Sequence, residues 1–201
     1  MTWPIDLREV LATFGIVVEK KLEEEIKEKT NKYLGILFEW NQKTNLTSCK
    51  TAEEFLKNHV ILSYNFIPFI EKFETIFDFG SGNGVPGIPL SFLFSDKTFI
   101  LVENRKRKLA FLEYISSALT KNVIVIDSSH NTPPKEYLSN FCVIAKAFSN
   151  IIAMKRFFKI PFELTILTEK VDYPKKVKTY NSTPPKIGNF EKIKLHRLLV
   201  E

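Results

Sequence analysis

Short, almost wholly apolar runs alternate with amphipathic segments through the middle of this chain. Five such runs have the length and composition of buried strands, at residues 75–79, 98–103, 123–127, 141–146 and 164–168. Helix-compatible segments lie between them, including residues 105–119 and 150–158. Short apolar strands that alternate with helices predict an α/β fold whose mostly parallel sheet is covered on both faces.

Before the first strand the apolar residues follow a helical period. Between residues 19 and 42 they recur as Leu22, Ile26, Tyr33, Leu34, Leu37 and Phe38. Thr51 and Glu54 have the spacing of a capping box, which predicts that a second helix starts at Thr51. We therefore expect an N-terminal helical addition at residues 1–70, packed on an α/β domain at residues 71–201 to form one structural unit. Residues 171–189 predict a long loop, and residues 193–200 predict one edge strand.

Length, charge and cysteine content limit which partners and which cellular compartment this chain is expected to have. The chain has 201 residues and a net charge of +6, which suggests a polyanionic partner or simply a basic solvated surface. The first residues carry acids and lack a continuous apolar stretch, and no apolar run is long enough for a membrane span, so we expect neither a signal peptide nor a membrane partner. Two cysteines make no disulfide framework and the three histidines lack ligand spacing. We expect a cytoplasmic, monomeric protein without a metal site.

Four of the seven glycines fall between the first strand and the helix that follows it, in the run FDFGSGNGVPGIPL. Such a turn seats a nucleotide-like ligand, and Glu103 ends the next strand where a carboxylate can receive ribose hydroxyls. Residues 82–87 match GxGxxG, so a nicotinamide or flavin cofactor is one alternative. Asp78 before the turn and Pro86 within it argue against a pyrophosphate and favour S-adenosylmethionine, which has no phosphates. Asp78 either orients the ligand's ammonium group or braces the turn.

The glycine run, together with LVENRKRKLAFL and WNQKTNLTS, resembles the RsmG (GidB) family over residues 33–148. That family methylates N7 of a guanine in 16S (small-subunit) ribosomal RNA. The resemblance implies a Rossmann-like methyltransferase fold and S-adenosylmethionine as cofactor. With the glycine turn it implies cofactor contacts at Gly80, Gly82, Val85, Glu103, His130, Asn131 and Lys146.

The chain departs from the family's usual pattern in three places. Lys146 stands where arginine is usual, so the charge is kept but the planar fork is lost. His130 and Asn131 replace a small or apolar residue followed by an acid. Of the segment 58–63, only His59 and Ser63 match.

Guanine N7 has an exposed lone pair and no proton at neutral pH, so we name no catalytic acid or base. Phe148 follows the fourth strand and either stacks on the target base or belongs to the core. The predicted substrate contacts are Lys146, Phe148, Arg105, Lys106 and Arg107. The three residues of the basic run open a helix, where they either contact phosphates or form a solvated helix face. Further basic residues that extend this surface are Lys108, Lys155, Arg156, Lys159, Lys175, Lys176 and Lys178.

The expected partner is small-subunit ribosomal RNA or a ribosomal particle. Two other functions stay open at this point. One is methylation of another RNA or of a small molecule, and the other is a non-catalytic RNA-binding assembly factor with the same fold. A nicotinamide-dependent dehydrogenase is a more distant alternative.

Overall fold

The core of the molecule is one seven-stranded sheet in the order β3-β2-β1-β4-β5-β7-β6. The computed structural model describes residue 3, residues 5–148, 150–169, 186–187 and 193–200, and the backbone of residues 177–183. The strands are β1 (Thr75–Phe79), β2 (Thr98–Glu103), β3 (Val123–Asp127), β4 (Phe141–Lys146), β5 (Phe162–Thr168), β6 (Val177–Thr183) and β7 (Lys194–Val200).

Strands β1 to β5 are parallel, which confirms the predicted α/β fold of the Rossmann-like type. The central strand β1 is buried along its whole length, as its TIFDF sequence predicts. Because β1 lies between β2 and β4, the chain reverses its winding direction at the carboxyl end of β1. A crevice opens at such a point, and the glycine run follows β1 there.

Helices cover both faces of the sheet. They are α1 (Leu7–Ala12), α2 (Lys20–Thr44), α3 (Ala52–Phe55), α4 (Ile67–Ile70), α5 (Gly87–Leu93), α6 (Lys106–Leu119) and α7 (Ile151–Phe158). A π-helical stretch (Leu56–Ile61) and a 3-10 turn (Tyr64–Phe66) connect α3 to α4. Helix α2 packs on α5 and α6, whereas α7 lies against the other face of the sheet. Among the described residues no helix is both long and apolar enough to cross a membrane.

The N-terminal helices differ from the prediction in detail. The Thr51 hydroxyl accepts a hydrogen bond from the Glu54 amide at 3.1 Å, as a capping box requires. Glu54 instead reaches back to the amide of Lys50, at 2.7 Å, one residue before the cap. The prediction that Leu22 lies on the buried face of α2 is wrong, because its side chain is 37% exposed.

The C-terminal prediction is wrong in two respects. Residues 177–183, expected within a long loop, form β6 and pair antiparallel with β7. Valine, threonine and tyrosine in this stretch favour a strand, but flanking prolines and lysines hide the pattern. Strand β7 is not an edge strand, because it lies between β5 and β6 and pairs antiparallel with both.

One apolar cluster continues from the N-terminal helices into the sheet. It contains Leu11 of α1 and Leu37 of α2 together with Ile76 of β1 and Phe111 of α6. The division of the chain at residue 70 stays a prediction about its organisation.

Candidate functional site

The turn after β1 has a backbone that L-amino acids with side chains rarely adopt. Gly80, Gly82 and Gly84 have φ angles of +79°, +60° and +93°. At Gly80 a Cβ atom would lie 2.5 Å from Cδ2 of Phe148, so the aromatic ring covers this glycine directly. The Gly80 amide donates to the carbonyl of Val102 at 2.8 Å, which ties the start of the turn to β2. The turn is thus held close to the sheet on one side and to Phe148 on the other.

Asp78 braces the turn from inside the protein. Its side chain is fully buried, and Oδ2 accepts a hydrogen bond from the Gly87 amide at 2.9 Å. Oδ1 is also buried and has no hydrogen-bond partner among the described residues. Burial raises the pKa of the Asp78 carboxyl to about 7, although the Gly87 hydrogen bond and the charge of Lys146 oppose this. Asp78 therefore braces the turn and still has one oxygen for another donor.

Glu103 closes the turn from the neighbouring strand. One oxygen, Oε1, accepts from the amides of Asn104 and Arg105 at 2.8 and 3.0 Å. The other, Oε2, accepts from the Gly82 amide at 3.1 Å. A carboxylate offers about four acceptor sites, so these three bonds leave roughly one of them, on Oε2. Accepting two ribose hydroxyls would therefore require the loss of a backbone hydrogen bond.

A cleft of about 510 Å³ opens beside the turn, at the carboxyl ends of β1, β2 and β3. Five of the predicted site residues line it together: Gly80, Glu103, His130, Asn131 and Phe148. Arg156 and Lys159, which were predicted only to extend the basic surface, also line the cleft, as do residues that the sequence reasoning did not single out, among them Asn104, Ser128, Asn150 and Phe157. Asn104 and Ser128 directly follow strand ends, which is a signal that would have identified them. The α7 residues depend on how that helix packs, which the sequence does not reveal.

The other predicted site residues lie outside the cleft lining. Gly82 faces Glu103, and the Val85 side chain is buried in the apolar cluster. Lys146 lies at the end of β4 against His59. The basic run at the start of α6 is exposed at Arg105, Lys106 and Arg107. Lys175, Lys176 and the Lys178 side chain lie outside the described residues. The roles assigned to all of these residues stay predictions.

The N-terminal segments reach the turn at Asn83, which the sequence reasoning missed. The Tyr33 hydroxyl on α2 donates to the Asn83 carbonyl at 2.6 Å. The Asn83 side-chain amide donates to the carbonyl of Leu46 at 3.0 Å. These bonds join residues 50 and 37 positions apart, so no local pattern reports them. The tip of the turn is therefore fixed by the segment that precedes the sheet.

The family model described as rRNA small subunit methyltransferase G matches residues 26–163. Three relatives are each named ribosomal RNA small subunit methyltransferase G. The protein from Brachyspira hyodysenteriae is 30% identical over 138 residues, which is 69% of this chain and 67% of the relative. The protein from Ectopseudomonas mendocina is 32% identical over 65% of this chain and 62% of its own length. That from Mycoplasma capricolum is 35% identical over 65% of this chain and 58% of its own length.

Solved structures share the fold at low sequence identity. A SAM-dependent methyltransferase from Aquifex aeolicus matches with a TM-score of 0.50 and 14% identity, over 73% of this chain and 93% of that one. A mutant of MtNAS in complex with S-adenosylmethionine matches with a TM-score of 0.51 and 13% identity. That match covers 98% of this chain and 84% of the other. At such identities the likeness concerns the fold alone.

Proposed function

Because this chain belongs to the rRNA small subunit methyltransferase G family, we propose that it transfers a methyl group from S-adenosylmethionine to N7 of a guanine in small-subunit ribosomal RNA. The observation that supports this most directly is the meeting of the glycine turn, Glu103 and the cleft at the carboxyl ends of β1 and β2. All of them lie within the residues that match the family. Ribosomal RNA as substrate implies that the protein acts in the cytoplasm.

Residues in the cleft and the buried Asp78 beside it fit the chemical groups of S-adenosylmethionine. Glu103 has an acceptor site left on Oε2 for a ribose hydroxyl. Ser128 and Asn131 follow β3 and offer polar groups to an adenine. The buried Oδ1 of Asp78 has no hydrogen-bond partner in the described part of the chain and suits an ammonium group. When bound, the cofactor supplies a methyl group on a sulfonium, which is an electrophile with a neutral thioether as leaving group.

The chemistry places few demands on the protein beyond alignment. In the transfer a bond forms between N7 and the methyl carbon as the sulfur–carbon bond breaks, and no proton leaves the base. The protein therefore needs to hold donor and acceptor in line rather than to supply a general base. Phe148 lines the cleft, is half-buried and packs on Gly80. Its exposed face provides a surface on which an unstacked guanine can rest.

The rim of the cleft favours RNA over a small molecule as substrate. Arg156 and Lys159, near the end of α7, are exposed and line the cleft. His130 and Asn131 are exposed on the opposite side of the same cleft. An open cleft with cations at its edge suits a phosphate backbone, whereas a small-molecule enzyme would enclose its substrate.

Two measurements test the proposal. Calorimetry with S-adenosylhomocysteine should show one binding site, and failure to bind would favour a non-catalytic assembly factor. Purified protein and radiolabelled S-adenosylmethionine should then methylate ribosomal RNA or small subunits taken from cells that lack this gene. Chemical cleavage at 7-methylguanine should map the label to one nucleotide. Binding of the cofactor without labelling of either substrate would overturn the assignment to ribosomal RNA.

A further inference from the structure

A histidine from the N-terminal helical segment contacts the lysine at the end of β4. Nδ1 of His59 lies 2.6 Å from Nζ of Lys146, although the two residues are 87 positions apart. His59 sits in the π-helical stretch after α3, and its ring packs on Phe55 with centroids 4.6 Å apart. A π-helical turn shifts the direction of its side chains relative to an α-helix and often occurs at functional sites. The His59 ring therefore contacts Lys146 through Nδ1 and is held in place by packing on Phe55.

The contact fixes the protonation of both groups. An ammonium group has three donors and no acceptor, so the ring nitrogen must accept when the lysine is charged. Burial, followed by the charge of Lys146, lowers the pKa of His59 to about 4. Burial lowers the pKa of Lys146 to about 8, while Asp78 and Cys49 act to raise it. At neutral pH a charged lysine therefore donates to a neutral histidine that bears its proton on Nε2.

The lysine lies beside the glycine turn. Asp78 of β1 and Cys49 of the loop before α3 are the other ionisable groups that act on the pKa of Lys146. The charge of Glu103 acts to raise the pKa of Asp78, and the charge of Asp78 acts to raise the pKa of Tyr33. Asp78 precedes Gly80 by two residues, and Lys146 precedes Phe148, which covers Gly80, by two residues. A buried carboxyl group and a half-buried ammonium group thus stand next to the same point of the turn.

We propose that His59 is a positioning residue for cofactor binding, which holds the Lys146 ammonium beside Asp78 at the start of the glycine turn. This inference rests on the function proposed above. The amino-acid end of S-adenosylmethionine carries a carboxylate and an ammonium group, and the Lys146 and Asp78 charges complement them. A cation fixed by a hydrogen bond in a partly buried site attracts a carboxylate more strongly than a mobile one in water. His59 acts through Lys146 and does not itself touch the ligand.

Three substitutions of His59 separate this role from a packing role. His59→Asn keeps an acceptor, because Oδ1 of asparagine is as many bonds from Cα as Nδ1 of histidine. His59→Gln moves the acceptor one bond further, and His59→Leu removes it. By calorimetry we expect affinity for S-adenosylhomocysteine to fall by about tenfold in the leucine and glutamine variants, as for a hydrogen bond to a charged group, and least in the asparagine variant. Equal affinity in all three variants and the wild type would overturn the inference.

The pH profile supplies a readout that a merely structural role would not move. Wild-type affinity should decline as pH rises through about 8, because the Lys146 cation is lost. Lys146→Arg should lack this part of the decline, since a guanidinium stays charged. The ligand's own amino group and the Asp78 carboxyl, whose pKa is about 7, are present in both proteins, so the difference between the two profiles reports Lys146. In His59→Leu the decline should begin at lower pH, because the ammonium loses its acceptor.

The outcomes keep the two proposals distinguishable. If the wild type does not bind S-adenosylhomocysteine at any pH, the proposed function fails. If it binds and the profiles of wild type, Lys146→Arg and His59→Leu coincide, only the role of His59 fails. Should the leucine variant not fold, the comparison of His59→Asn with His59→Gln and the Lys146→Arg profile decide the matter.

Discussion

Substitutions of Tyr33 and Tyr64 can be compared to measure how much the hydrogen bond between α2 and the glycine turn contributes to stability. Both side chains are fully buried, at 0% and 1% exposure. The Tyr33 hydroxyl donates to the Asn83 carbonyl at 2.6 Å. The Tyr64 hydroxyl is buried and has no hydrogen-bond partner among the described residues. Phenylalanine at either position removes one oxygen and keeps the ring.

The two substitutions should change stability in different directions. A neutral hydrogen bond contributes about 1 kcal/mol net, and the loss at Tyr33 should stay near that value because half-buried Asn83 can gain a water. Tyr64→Phe removes a buried hydroxyl that forms no bond, so unfolding free energy should stay the same or rise by up to about 1 kcal/mol. The difference between the two variants should therefore be about 1 to 2 kcal/mol.

The same pair tests whether the contact shapes the cofactor site. If Tyr33 holds the turn in its binding conformation, Tyr33→Phe should weaken S-adenosylhomocysteine binding by up to about fivefold, which corresponds to about 1 kcal/mol. Tyr64→Phe should leave the affinity unchanged. Urea denaturation gives the stabilities and calorimetry gives the affinities. Equal destabilisation by both substitutions, or unchanged affinity in Tyr33→Phe, would refute the role of this hydrogen bond.

Three further predictions concern the cleft. Gly80→Arg should abolish S-adenosylhomocysteine binding yet keep the far-ultraviolet circular dichroism spectrum; full methylation activity in this variant would refute the placement of the site. Glu103→Gln should lower that affinity by about tenfold or more through the loss of a charged acceptor. The control variant Glu163→Gln removes an acid at the opposite end of the sheet, and it should leave the affinity for S-adenosylhomocysteine unchanged in calorimetry. Arg156→Glu should weaken RNA binding and reduce the slope of log affinity against log salt by about 1, measured by filter binding. The control Lys21→Glu, at an exposed position of α2, should change neither the RNA affinity nor its salt dependence. Equal effects of the two charge reversals would contradict RNA binding at the rim of the cleft.

The sequence predicts the parallel sheet because each of its strands is a separate apolar run. Such a run can be identified from its own residues, without knowledge of the strand that pairs with it. The site at the carboxyl ends of the strands follows from the same pattern, since the glycine run and Glu103 both end strands. Of the predicted cofactor and substrate residues, the cleft brings together Gly80, Glu103, His130, Asn131 and Phe148. These residues directly follow or end a strand, or lie in the loop just beyond one.

The features that the sequence did not predict depend on packing between segments that are far apart in the chain. The hydrogen bond from Tyr33 to Asn83 and the contact of His59 with Lys146 span 50 and 87 residues. In the sequence Tyr33 is indistinguishable from the other apolar residues on the buried face of α2. Strand β6 was missed for a related reason, because its pairing with β7 overrides the loop-like residues around it.

These long-range contacts bear on what the N-terminal helices do. Tyr33 and Leu46 hold the two sides of Asn83, and His59 holds Lys146 beside the other end of the same turn. Glycine gives the turn its shape but also makes it the least restrained part of the site, since each glycine loses more conformational freedom on ordering than other residues. Hydrogen bonds from a rigid helical segment offset that cost before a ligand arrives. We therefore expect the N-terminal helices to act on cofactor affinity through the turn.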